Sequence, residues 1–80
     1  MSREKIDLLL KPIWNKQDIM KYFNVGRPKA VKMRDEAILR ANALVPLSQY
    51  EVFSEKVIEL FTGHSKAEEM KIVVNAYEKK

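Results

Sequence analysis

No cysteine occurs in this sequence, so neither a disulfide nor a thiolate metal site can hold the fold, and a reducing compartment is compatible with it. Long apolar runs are also missing. The longest is Leu8-Leu9-Leu10, far short of the ~20 residues that span a bilayer. The opening stretch MSREKID carries acids and leads into only that short apolar core, which is not a signal-peptide pattern. A cytoplasmic protein with no membrane partner is the expectation. Histidine is scarce: His64 stands alone between Gly63 and Ser65 and reads as a loop or helix-start residue. Asp7, Asp18 and Asp35 are scattered, with no histidine or cysteine to complete a metal set. The two glycines form no phosphate-binding loop. The Glu68-Glu69 pair is a helix-start feature before it is an acid–base pair. The sequence thus points to no catalytic residue, no metal and no cofactor, and to a protein that is not an enzyme.

What is present is one small domain, residues 1–80. With 46% hydrophobic residues the chain can build one core, although a chain of this size buries only about 60–65% of its unfolded surface. Charge is unevenly placed. Residues 1–48 hold ten Lys or Arg and five Asp or Glu, whereas residues 49–80 hold five Lys and six Glu. A basic front half and a nearly neutral back half fit a nucleic-acid face joined to a structural or partner-facing remainder.

Along the chain, Ser2 can cap a helix to Leu10 with Ile6, Leu9 and Leu10 at helical spacing, ended by Pro12, which drives Lys11 out of the helical region. A short strand over Ile6–Leu10 competes, because so brief an apolar run does not decide between the two. Asn15 then reads as the N-cap of a second helix. Asp18 sits at its third position, and Trp14 and Ile19 have the spacing of a hydrophobic staple. Asn24 ends that helix, since asparagine tolerates the left-handed conformation of a tight turn. A third helix starts around Gly26–Pro28 and is expected to run to about Ala43. Beyond Pro46 the period changes. A small β-hairpin, or wing, is expected over residues 44–53 with its turn at Ser48-Gln49. One helix follows from Ser54 to Thr62-Gly63. A last one is opened by the Ser65–Glu68 capping box and carries Lys79-Lys80 at its negative end.

The stretch from Lys16 resembles a helix-turn-helix. In the twenty-residue pattern the fourth, eighth, tenth, fifteenth and eighteenth places are apolar, and here they are Ile19, Phe23, Val25, Ala30 and Met33. Asn24 takes the turn position usually held by glycine, and Gly26 the cap of the second helix. One place departs from the pattern: the fifth is normally alanine, and here Met20 implies either a wider crossing or a methionine folded aside. Joined to the wing and the following helix, residues 13–63 resemble small helix-turn-helix proteins of the excisionase-like, winged-helix type found on prophages and conjugative elements. The fold class this implies is mainly α: a helix-turn-helix core over 15–43, a short hairpin wing over 44–53 and one or two C-terminal helices over 54–79.

That resemblance implies sequence-specific binding of double-stranded DNA, with nucleoid association, by a small regulator or recombination directionality factor. Arg27, Lys29, Val31, Lys32 and Asp35 would then face the bases of the major groove, where arginine suits guanine O6 and N7 and valine a thymine methyl. Lys16, Lys21, Arg34 and Arg40 would touch phosphates, and a wing would bring Ser48 and Gln49 to the minor groove. Gly26-Arg27-Pro28 also matches the core of a minor-groove AT-hook, but a helix follows it directly, which favours a helix start. A second reading is a protein-interaction or dimerisation module. Met70, Val73, Val74 and Tyr77 form an apolar stripe on the last helix that either docks on a second copy or a partner such as a recombinase, or completes the monomer core.

Overall fold

The computed structural model describes residues 3–79, and the expected cap at Ser2, like Lys80, lies outside them. The first helix, α1 (Glu4–Leu10), is a helix and not a strand, and Lys11 turns extended ahead of Pro12. Its buried face differs from expectation. Leu8 and Leu9 enter the core whereas Leu10 stays 63% exposed. The reason lies in β1 (Ile13–Trp14), a strand that the sequence pattern did not signal: fully buried Trp14 donates its indole Nε1–H to the Leu8 carbonyl at 2.8 Å, which turns that side of α1 inward.

Asn15 caps α2 (Lys16–Phe23) through a complete capping box. Its side chain accepts from the Asp18 N–H at 3.1 Å while the Asp18 carboxylate accepts from the Asn15 N–H at 3.1 Å. The same carboxylate receives Lys11 Nζ at 3.0 Å, so a nearly buried acid is fully paired. Asn24 adopts φ 54° and ends the helix. Two residues on, Gly26 opens α3 (Arg27–Ala41), which is ~22 Å long at 1.5 Å per residue. It stops two residues short of the expected end, because Asn42 is also left-handed (φ 51°) and turns the Ala43 N–H back onto the Ala37 carbonyl at 3.2 Å.

The strands form a two-stranded antiparallel sheet, with Ile13 opposite Phe53 and Trp14 opposite Val52 in β2 (Val52–Phe53). Leu44 bridges Val52 on its other edge, the Val45 N–H reaches the Glu51 carbonyl at 3.0 Å and the Phe53 N–H the Ala43 carbonyl at 2.8 Å. A short hairpin therefore exists, but its turn is not at Ser48-Gln49. It closes between Val45 and Ser48, with the Ser48 N–H on the Val45 carbonyl at 3.0 Å, Pro46 in the second place and Leu47 in the third at φ 66°. That is the pattern of a type II turn, in which proline presets the second position and glycine is usual at the third. A leucine there costs roughly 1–2 kcal/mol of backbone strain.

Then come α4 (Ser54–Thr62), ended by left-handed Gly63, and α5 (Lys66–Glu78), opened by the Ser65–Glu68 box as expected. Buried Ser54 donates its hydroxyl to the Lys11 carbonyl at 2.6 Å and accepts from Lys66 Nζ at 2.7 Å, tying the α1–β1 connection to the starts of α4 and α5. Burial lowers the pKa of the Lys66 ammonium. The core gathers Trp14 from β1, Leu9, Ile19, Tyr22, Ala30, Ala37, Val57 and Ile58 from the first four helices, and Val73 from the last. Among the described residues no helix is long and apolar enough to cross a membrane.

Candidate nucleic-acid interface

Ala30 and Ala37 are fully buried and Met33 nearly so, so α3 packs through the face the helix-turn-helix pattern assigned to it. Two alanines at that contact let the backbones come close. Met20 is half-buried and packs against the core. Outside that face Arg27, Lys29, Lys32 and Asp35 are exposed to solvent and Val31 is half-buried.

The ten cations of the front half divide by partner. Arg3 pairs with Asp7, Lys5 sits over the Tyr22 ring, Lys11 is held by Asp18, and Arg34 is bound within the fold. The other six, Lys16, Lys21, Arg27, Lys29, Lys32 and Arg40, make no side-chain hydrogen bond or ion pair among the described residues, and all six belong to α2 and α3. Sequence spacing grouped Arg34 with the phosphate-facing residues. In the structure its side chain is only 13% exposed, reaches Asp35 at 3.3 Å and stacks its guanidinium carbon 5.0 Å from the Tyr50 ring centroid. It thereby joins α3 to the wing, a contact that no spacing rule reveals.

Between α3 and the wing lies an open groove of about 580 Å³, lined by Asn15, Lys16, Gln17, Val31, Arg34 and Tyr50. Of the expected wing contacts, Ser48 is tied down, its hydroxyl accepting the Glu51 N–H at 3.0 Å, while Gln49 remains exposed. The stripe expected on the last helix is divided. Val73 is 5% exposed and belongs to the core, Met70 packs against it, Val74 is half-buried and Tyr77 is the most exposed of the four.

Glu69 joins three elements. Its carboxylate accepts the Tyr22 hydroxyl of α2 and lies 2.6 Å from Nε2 of His64 in the α4–α5 turn. Burial, with the adjacent Glu69 carboxylate, raises the Tyr22 pKa far above the ordinary phenol value. Contacts between residues 47 positions apart in sequence leave no local signal. Among the described residues no group of three or more His, Cys, Asp or Glu side chains could hold a metal ion. The chain matches no protein-family model, no curated protein and no solved structure.

Proposed function

We propose that this protein binds double-stranded DNA with the outer face of α3 in the major groove and performs no catalysis. The observation that carries the reading is that the six cations without an internal partner among the described residues all stand on α2 and α3, the latter packed into the core through Ala30, Met33 and Ala37. A cation without an internal partner is fully available to displace counterions from phosphate. In this reading Arg27 and Lys32 read base edges, with Lys29 beside them and Val31 meeting a thymine methyl, while Lys16, Lys21 and Arg40 fix the register on the backbone. Asp35, held by Arg34, can accept from a cytosine amine. The biological role that the helix-turn-helix resemblance implies is that of a regulator or recombination directionality factor at the nucleoid.

The alternative, an interaction module built on the last helix, is weakened by the placement of Val73 in the core. Selection of bound duplexes from a random pool tests the proposal. An enriched sequence whose recovery is lost with Arg27→Ala supports it, and a pool that stays random after repeated rounds overturns it.

A further inference from the structure

We infer that the Pro46-Leu47 tip of the wing is an apolar wedge that enters the minor groove beside α3 and opens one base step of the bound duplex. This rests on the DNA-binding reading and adds a second, mechanically different contact to it. Leu47 is 109% exposed, so no other part of the chain covers it, and its backbone is left-handed at φ 66°. Glycine would suit that turn better on both counts, because the strain would vanish and no apolar side chain would stand in water. Two independent costs at one residue, with no return inside the fold, point to a partner outside it.

The tip is also built to be stiff. The Pro46 ring fixes its own φ, Ser48 closes the turn onto Val45 and accepts from Glu51, and the arms are anchored at Val52 in the sheet. Three residues beyond Leu47, Tyr50 lies against Arg34 of α3. The wing therefore holds a set position relative to the proposed reading helix, across the groove that begins at Asn15 and Lys16. With α3 in a major groove, a phosphate backbone running along that groove would bring the neighbouring minor groove to the wing. Its tip carries no charge of its own, the polar Ser48 and Gln49 adjoin the leucine, and the only charged residue in 44–53 is Glu51. A leucine inserted between bases favours pyrimidine–purine steps, which unstack most readily, so the wedge would add sequence preference at a position α3 never touches.

The test uses the full chain and a duplex enriched by selection, carrying 2-aminopurine at successive steps beside the α3 site and a fluorophore pair at its ends. Wild type should raise 2-aminopurine fluorescence at one step and shorten the end-to-end distance. Leu47→Gly, which the left-handed backbone accommodates, should stay folded and keep the α3 sequence preference. It should bind roughly tenfold more weakly and produce neither signal. Leu47→Phe should retain both signals. If wild type binds the duplex but leaves it straight and stacked, or if Leu47→Gly bends it equally, the wedge is overturned and the reading by α3 stands. If wild type binds no duplex at all, both fall together.

Discussion

Arg34 of α3 lies with its guanidinium carbon 5.0 Å from the centre of the Tyr50 ring, which fastens the wing to the helix proposed to read DNA. The side chain is mostly buried and also engages Asp35, so it serves position before it serves charge. A double-mutant cycle with Arg34→Ala and Tyr50→Ala, followed by urea unfolding, should give a coupling of about 0.5–2 kcal/mol. Additive losses would mean that the wing is held by the strand bridge alone.

The two capping boxes should be worth comparable amounts separately. Asn15→Ala and Ser65→Ala are each expected to cost about 1 kcal/mol, and the double variant close to their sum, since they lie on different helices. The acids of the boxes should not behave alike. Asp18 is nearly buried and also holds Lys11, whereas Glu68 is in solvent, so Asp18→Ala should shift the urea midpoint further than Glu68→Ala. Equal shifts would contradict the ion pair's part in fixing the start of α2.

Tyr22 sets an alkaline limit. Its folded pKa is raised above the ordinary 10.0, so above about pH 10 the unfolded chain loses a proton that the folded chain keeps. Stability from this group is complete below pH 10 and falls above it, by about 1.4 kcal/mol per pH unit. Tyr22→Phe should cost about 1–3 kcal/mol at neutral pH through the lost bond to Glu69. Above pH 10 the gap between variant and wild type should close. Lys66, whose pKa is lowered, acts with the opposite sign below its ordinary 10.5 in both proteins, and so cancels from the difference. Parallel stability curves for the two proteins from pH 9 to 11 would contradict the assignment.

Much of the fold could be read locally, because the signals were local. Asn15 and Asp18, Asn24, Gly63, and Ser65 with Glu68 each act within four residues, and the inward triad Ala30, Met33 and Ala37 follows from helical period. What escaped was long-range or irregular. Strand β1 is two residues long and exists because Val52 lies opposite Trp14, which its own sequence does not announce. The wing turn lies about two residues before the expected Ser48-Gln49, because Pro46 reads as the stop of the preceding helix and Leu47 holds a conformation that residue type disfavours. In the candidate site, exposure of Arg27, Lys29 and Lys32 followed from the helical pattern, whereas the capture of Arg34 by Tyr50 depended on a fold-level contact.

The central claim is that the unpaired cations of α2 and α3 meet DNA phosphate and bases, and a salt titration of the selected duplex tests it most directly. The three cations assigned to phosphate, Lys16, Lys21 and Arg40, at about 0.9 ions released each predict a slope of roughly −3 in log Kobs against log salt. Lys21→Ala should make that slope shallower by about 1 and weaken every sequence alike, whereas Arg27→Ala should cost about 1–3 kcal/mol on the selected site and far less on a scrambled one. A slope near zero, or equal losses for Arg27→Ala on selected and scrambled duplexes, would contradict the account.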